Sequence, residues 1–330
     1  MGDLRSFKKY LMLNWGSQLY VFGVGYCIFV VLLLSGTNIC YICEQLYGEG
    51  NFQKTIAFIG IVFVETMVNL VLFTFCSKYN RLDYLIDREK LRCSSGTSPP
   101  DKAEMLCPNS GGNPENPNFP TRYCVHCKFR VPHICHHCPM CNYCVFKKDH
   151  HCFFMGGCVG FGNQRYFIVF LFWSTLGSMY ALFLVFRFII DVYKPNLPFA
   201  WARYIFPIYV LMAIYELTCH KDEILCMLYV SVVICGACGS AWFFFYQWLM
   251  VVKGKSTMGF FQLKDLFPAN GNPTISQRIR YVFGPYWPLN FLVPLPFRNK
   301  LDESYERLML AYYSEAAAIG CSIPEKLKTH

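Results

Sequence analysis

Four long apolar stretches restrict what this chain can fold into more than any other feature of its sequence. A bilayer requires about 20 residues of apolar helix, and each stretch reaches that length: residues near 19–42, Thr55–Phe75, Tyr166–Ile190 and Ile224–Val252. No charge occurs between Lys9 and Glu44 and no small-residue cleavage site follows, so we interpret the first stretch as an uncleaved span. Because 54% of the residues are hydrophobic and only 15% are charged, the sequence predicts an all-α polytopic membrane protein with four transmembrane helices.

Basic residues beside these stretches set the expected orientation. With four spans, they all fall on one side of the membrane, as the positive-inside rule prefers; they are Arg5, Lys8 and Lys9, the basic segment 76–165, and Lys253 and Lys255. A further apolar segment, 199–218, would place the last two lysines outside if it crossed, and Pro207 interrupts it. We therefore expect it to stay at the lumenal face or to re-enter, with both termini cytosolic. The net charge of +9 suits the anionic inner leaflet, so we expect contacts with the lipid bilayer and no nucleic-acid partner.

The same features divide the chain into six parts. These are a cytosolic N-terminus at 1–18, spans one and two at 19–75, a cytosolic linker at 76–122, a cysteine-rich module at 123–163, spans three and four with a lumenal loop at 164–252, and a cytosolic C-terminal region at 253–330. The module leads directly into span three. Any site in it is therefore expected at the bilayer surface.

The cysteine-rich module has the spacing of metal ligands. Cytosolic thiols stay reduced, and paired C-x2-C spacing is typical of zinc sites. The module has two similar halves with cysteines and histidines enough for two tetrahedral zinc sites: Cys124, Cys127, His136, His137, Cys138, Cys141, Cys144, His150, His151 and Cys158. A module of about 40 polar residues buries too little apolar surface to fold alone, so the metals are expected to supply the folding free energy. Cys135 and His133 remain open as further ligands, and the spacing of DNA-reading fingers is absent.

The sequence Asp149-His150-His151-Cys152 contains more than metal ligands. A carboxylate, an imidazole and a thiol within four residues have the composition of an activated cysteine. Asp149 can fix the tautomer of His150, and His150 can take the proton of the Cys152 thiol. We therefore interpret these three residues as catalytic.

These residues resemble the DHHC family of protein S-acyltransferases, integral membrane enzymes that move a fatty acyl group from acyl-CoA to protein cysteines. The resemblance covers Tyr123 to Phe167 closely and includes the tetrad, Cys158-Val159-Gly160 and Asn163. It implies that His150 is a base and His151 a ligand. It also implies two structural zinc ions, one bound by Cys124, Cys127, His137 and Cys144, and the other by Cys138, Cys141, His151 and Cys158.

The resemblance further implies a two-step reaction. Cys152 takes the acyl group from the acyl-CoA donor as a thioester, and a cysteine near the membrane in a membrane-associated substrate protein then accepts it. Phe167, Phe170 and Trp173 of span three are candidates to line the acyl chain, with lipid-facing or packing roles as the alternative, and Gly177 is a candidate for the far end of the acyl cavity. Close packing of another span against Gly177 is an equal alternative.

The chain departs from the family pattern at several positions. Phe153-Phe154 stand where Pro-Trp is usual, Ser256-Thr257-Met258-Gly259 lack the acidic residue of Thr-Thr-x-Glu, and Arg278 replaces an Asn. The basic residues that meet CoA phosphates are also replaced, so the candidate phosphate contacts become Arg122, Lys128, Arg130, Lys147 and Lys148. A catalytically silent zinc-binding membrane adaptor is therefore the alternative function, although an adaptor has no need of Cys152.

Two lysines near the C-terminus match a known localisation signal. Lys326 and Lys328 have the spacing of the cytosolic dilysine signal that returns membrane proteins to the endoplasmic reticulum. Receptors read such signals, and a functionless tail is the alternative. We expect a multi-pass protein of the endoplasmic reticulum or Golgi.

Overall fold

Four membrane-spanning helices dominate the structure. The computed structural model describes residues 21–48, 52–82, 84–85, 121–127, 129–194, 200–216, 220–259 and 273–294. In this part of the chain, four helices are long and apolar enough to cross a bilayer, which confirms the all-α, four-span prediction and makes the protein a multi-pass membrane protein. The dilysine pair and most of the linker lie outside the described residues.

The spans are α1 (Val21–Tyr47), α2 (Gln53–Cys76), α3 (Gln164–Phe188) and α5 (Lys221–Lys253). Helix α1 extends beyond the predicted end near residue 42, through a π-helical turn at Asn38–Ile42, and stops at Gly48 with a φ of 70°. Helix α2 continues through a 3-10 turn at Ser77–Asn80, and α3 through a π-helical turn at Ile189–Tyr193. In the absence of water, these apolar segments satisfy their backbone polar groups within each helix.

The segment between α3 and α5 contains a 3-10 turn at Ala200–Tyr204 and a short helix, α4 (Ile208–Glu216). Nine residues of helix extend about 14 Å, which is half of the hydrocarbon thickness. Arg203 Nη2 bonds Glu216 at 3.2 Å and Glu223 at 3.3 Å, so this segment is tied to the first turn of α5. Helix α4 is therefore too short to cross the bilayer by itself, and the lumenal or re-entrant place of this segment stays a prediction.

Helix α3 is central and packs most extensively against α5 and α2. Small residues allow the close approach: a Cβ at Gly236 of α5 would lie 3.3 Å from Ser178 Oγ of α3, and one at Gly177 would lie 2.6 Å from Val62 Cγ1 of α2. Such small-residue contacts are the usual way in which spans pack in lipid.

The module consists of three antiparallel hairpins. Strands β1 (Thr121–Cys124) and β2 (Phe129–Pro132) form the first, β3 (His136–Cys138) and β4 (Tyr143–Val145) the second, and β5 (His150–Cys152) and β6 (Gly157–Val159) the third. Asn80, at the end of α2, holds the third hairpin: its Nδ2 donates to the Cys158 carbonyl at 3.0 Å and its Oδ1 accepts from the Gly162 N–H at 2.6 Å. The module is thus fixed to the end of span two.

A short amphipathic helix, α6 (Ile275–Phe283), and a 3-10 turn at Trp287–Phe291 follow α5. Thr274 and Gln277 form a capping box at the start of α6. Arg278 Nη1 donates to the Val252 carbonyl at 2.7 Å, so the residue that replaces the family's Asn satisfies an acceptor in the last turn of α5.

Candidate functional site

Four metal-ligand side chains meet between the first and second hairpins. The ligand atoms of Cys124, Cys127, His137 and Cys144 all lie within 4.8 Å of one another. His137 and Cys144 are directly opposite each other in the β3–β4 pair. Cys127 Sγ lies 3.3 Å from His137 Nδ1 and 3.5 Å from Cys144 Sγ.

A second group has the same composition and lies between the second and third hairpins. It contains Cys138, Cys141, His151 and Cys158, again within 4.8 Å. His151 Nδ1 lies 3.5, 3.4 and 3.6 Å from the sulfurs of Cys138, Cys141 and Cys158. Tetrahedral zinc with bonds of about 2.3 Å to sulfur and 2.0 Å to nitrogen separates its ligands by roughly 3.5 to 3.8 Å. The donor sets and spacings of both groups therefore fit a tetrahedral ion.

Cys135, left open as a ligand, belongs to neither group. It is fully buried in the core beneath the first hairpins, and burial raises the pKa of its thiol. His133 also lies outside both groups. Each group is complete with four protein ligands, as a closed structural site requires.

Asp149, His150 and Cys152 are adjacent to the second group. His150 Nδ1 lies 2.7 Å from Asp149 Oδ2. Burial alone would lower the pKa of His150, but its hydrogen bonds with Asp149 and Cys152 outweigh burial and raise the pKa to about 9. The imidazole therefore holds a proton readily, as a base that has taken one from a thiol must.

The Asp149 carboxylate accepts more hydrogen bonds than the sequence suggested. Thr257 donates to it twice, from its N–H to Oδ1 at 2.7 Å and from its hydroxyl to Oδ2 at 2.6 Å, and Gln247 Nε2 donates to Oδ2 at 3.0 Å. Burial alone would raise the pKa of Asp149, but the hydrogen bonds from His150 and Thr257 outweigh burial and lower it. A carboxylate with these donors stays ionised and orients His150.

Gln247 was missed by the sequence reasoning and Thr257 was noted only as part of an incomplete motif. Both are about 100 residues from Asp149 in sequence. The sequence feature that could have identified Gln247 is its position, because it is a polar amide within the apolar run that ends at Val252.

Cys152 opens into a cavity of about 580 Å³ within the helix bundle. Its walls come from α1, α2, α3, α5 and residues 150–155, and they reach Asn38 and Ile59 near the far ends of α1 and α2. A Cβ at Gly23 would collide with the carbonyl oxygen of Phe153, so α1 packs directly against the turn that follows Cys152. This volume is typical of ligand pockets.

Only some of the residues predicted to line the acyl chain contact the cavity. Phe167, Phe170 and Gly177 line the cavity. Trp173 does not: its Nε1 donates to the Phe291 carbonyl at 3.0 Å, and the ring packs near α6. Gly177 contacts both the cavity and Val62 of α2, so both interpretations of this glycine stay open.

The candidate phosphate contacts have internal partners where the structure describes them. Arg122 donates to the Cys135 carbonyl, Lys148 to the His137 carbonyl at 3.4 Å, and Lys147 to Gln164 Oε1 at 3.3 Å. Burial, partly offset by Asp149, lowers the pKa of Lys147 to about 7. These contacts favour structural roles, and phosphate contact stays a prediction. Lys128 and the Arg130 side chain lie outside the described residues.

Comparison with known proteins supports the resemblance. Residues 117–264 match the model of the DHHC palmitoyltransferase family. Palmitoyltransferase ZDHHC15 of Rattus norvegicus is 30% identical over 190 residues, which are 57% of this chain and 50% of that protein. Palmitoyltransferase PFA3 of Candida glabrata is 46% identical over 81 residues, 24% of each chain. Palmitoyltransferase ZDHHC2 of Rattus norvegicus is 30% identical over 173 residues, 50% of this chain and 42% of that one. Thus the chain spans about half the length of the first curated relatives it matches.

Proposed function

Because residues 117–264 carry a domain of the DHHC palmitoyltransferase family, we propose that this chain is a protein-cysteine S-palmitoyltransferase. It moves a fatty acyl group, palmitoyl or similar, from acyl-CoA through a Cys152 thioester to cysteines of membrane-associated proteins. One observation carries the proposal: Cys152 lines a mainly apolar cavity whose walls come from all four spans. A thiol that opens into such a cavity, beside a base, suits a fatty acyl thioester.

In the first step, His150 removes the proton of Cys152. The thiolate attacks the carbonyl carbon of acyl-CoA and the carbon–sulfur bond to CoA breaks. The CoA thiolate leaves with the proton from His150, and the acyl chain occupies the cavity. Asp149 accepts the Nδ1 proton of His150 at 2.7 Å, so the opposite ring nitrogen is available for the proton of the thiol.

In the second step, His150 deprotonates the thiol of a substrate cysteine. That thiolate attacks the carbonyl carbon of the Cys152 thioester, and the Cys152 thiolate leaves and recovers the proton. Asn80 and Asn163 tie the module to the ends of spans two and three, through bonds to Gly162 and to Ser77 Oγ, which supports a place for the module at the bilayer surface. A substrate cysteine therefore has to lie close to the membrane, which restricts substrates to membrane-associated proteins.

The two cysteine/histidine groups are proposed to hold zinc. When bound, zinc crosslinks the hairpins and supplies folding free energy. Each group offers four protein ligands and no open position, so its role is structural.

The test is acyl labelling of the purified full-length protein with a clickable palmitoyl-CoA. We expect a label that hydroxylamine removes, two zinc ions per chain, and complete loss of label with retained zinc in Cys152→Ser. Label that survives in Cys152→Ser would contradict the assignment of the nucleophile. An unlabelled wild-type protein that binds both zinc ions would instead favour the adaptor function.

The proposed location is the endoplasmic reticulum or Golgi, with both termini cytosolic. Lys326 and Lys328 support it by their spacing. Replacement of both lysines by Ser should move the protein onward in microscopy, with Lys300→Ser as a control for loss of charge. Unchanged localisation would show that these two lysines do not act as a retrieval signal.

A further inference from the structure

Gln247 is a buried amide near the C-terminal end of α5. Its side chain is 1% exposed, within an apolar run from Ala241 to Val252. Its Nε2 lies 3.0 Å from Asp149 Oδ2 and 2.7 Å from Thr257 Oγ1. Gln247 thus connects a membrane-spanning helix to the carboxylate that orients His150.

The two protons of the Gln247 amide determine how the whole network is oriented. One proton goes to Asp149 Oδ2 and the other to a lone pair of Thr257 Oγ1. Because that lone pair is occupied, the single hydroxyl proton of Thr257 is directed to Asp149 Oδ2, 2.6 Å away. The flipped amide would place an oxygen against the carboxylate, so only one orientation fits.

The Oε1 atom of Gln247 distinguishes this role from simple packing. It is buried and has no hydrogen-bond partner among the described residues. A buried polar atom without a partner lowers stability. If the side chain only filled space, an apolar residue of similar length would be equal or better there.

We propose that Gln247 is a positioning residue that holds Asp149, and through it His150, in the orientation that activates Cys152. The inference rests on the proposed function, because it assigns a task in that reaction. Its contribution runs through two hydrogen bonds to Asp149, one direct and one through the Thr257 hydroxyl. Removal of the amide leaves the Thr257 hydroxyl free to rotate and Asp149 with one donor fewer.

The experiment compares Gln247→Met, which keeps length but has no donor, with Gln247→Glu, which places an oxygen against Asp149. Gln247→His returns one N–H donor. Each full-length variant is tested for the rate of Cys152 acylation by palmitoyl-CoA and for the rate of Cys152 alkylation by iodoacetamide. Zinc content and thermal midpoint are recorded on the same samples.

We expect Gln247→Met to slow both reactions about tenfold, as loss of an outer hydrogen bond to a functional group usually does. Gln247→Glu should be slower still, and Gln247→His faster than Gln247→Met. Zinc content should be unchanged and the thermal midpoint equal or higher in Gln247→Met. Ser231→Ala is the matched control on α5, since its hydroxyl bonds only within that helix, to Met227; it should leave both rates unchanged.

Two outcomes would overturn the inference. Wild-type alkylation rates in Gln247→Met and Gln247→Glu would show that the amide positions nothing. A slower rate accompanied by loss of zinc and a lower thermal midpoint would assign Gln247 a structural role. If wild-type protein is alkylated at Cys152 but not acylated, the proposed function fails, while slower alkylation in Gln247→Met would still support the positioning role.

Discussion

The two halves of the cysteine-rich module have the same candidate metal ligands in the same order, yet only the second contains the proposed nucleophile. Every ligand of the second group follows its counterpart by 14 residues: Cys124 and Cys138, Cys127 and Cys141, His137 and His151, Cys144 and Cys158. His-His-Cys occurs in both halves, at 136–138 and at 150–152. The halves differ in what surrounds those three residues.

The hairpins themselves are alike. His137 is opposite Cys144 in β3–β4, and His151 is opposite Cys158 in β5–β6. Both turns contain a left-handed residue at the same place, Asn142 with φ 57° and Gly156 with φ 67°. The difference in reactivity therefore does not come from the hairpin backbone.

The difference comes from where the repeat ends. Cys138 begins a C-x2-C pair with Cys141, so its sulfur joins the second group. Cys152 occupies the same place in the next hairpin, but the residue three positions later is Met155. Cys152 thus has the position of a zinc ligand without a group to join. The proposed nucleophile is thus the thiol that the end of the repeat leaves outside both ligand groups.

The surroundings of His136 and His150, which occupy equivalent positions in the two halves, also differ. Burial and Arg122 lower the pKa of His136 to about 4, whereas Asp149 and Cys152 raise that of His150 to about 9 against burial. The residue before each histidine is Cys135 in one half and Asp149 in the other. A carboxylate at that position therefore separates a base from a structural imidazole.

The largest expected effect is loss of a metal ligand, where the two halves should behave alike. Cys124→Ser and Cys138→Ser should each lose zinc and unfold the module, because zinc binding supplies on the order of 10 kcal/mol of folding free energy. Metal analysis and a thermal scan of the full-length variants measure this. Cys135→Ser is the control, since Cys135 lies between β2 and β3 and outside both groups; it should retain both ions. A stable, zinc-loaded Cys138→Ser protein would contradict the ligand set.

A smaller effect should separate the halves. His150→Gln is expected to lower the acylation rate of Cys152 about 10²- to 10⁴-fold, the usual loss when a general base is removed. His136→Gln, the counterpart in the first half, should leave the acylation rate within about threefold of wild type, because half-buried His136 is neither in a metal-ligand group nor next to Asp149 and Cys152. Single-turnover labelling measures the acylation rate of both variants. Equal losses would mean that the two halves share the catalytic role.

The local part of this arrangement was predictable from sequence and the long-range part was not. The C-x2-C pairs are a short-range pattern, so they predicted which residues could bind metal, and the resemblance supplied the division into two groups. The contacts of Gln247 and Thr257 with Asp149 depend on how α5 returns to the module, and no local pattern encodes that. Likewise, Trp173 has the helical spacing of a lining residue, but its bond to the Phe291 carbonyl turns it towards α6. The end of α1 was also missed, because its apolar pattern stops before the helix does.

The smallest expected effect tests the end of the repeat itself. Met155→Cys restores C-x2-C spacing with Cys152, in a turn like the one that brings Cys138 and Cys141 together. Two thiols at that spacing can form a disulfide or bind a stray metal ion, and either removes the nucleophile reversibly. After air oxidation, Met155→Cys should acylate about tenfold more slowly than Met155→Ala, and a reductant with a chelator should restore the rate. Met155→Ala is the matched control because it also removes the buried thioether, 1% exposed, without adding a thiol. Equal rates for the two oxidised variants would mean that the turn after Cys152 is not equivalent to the zinc-binding turns, and that the repeat does not explain the free thiol.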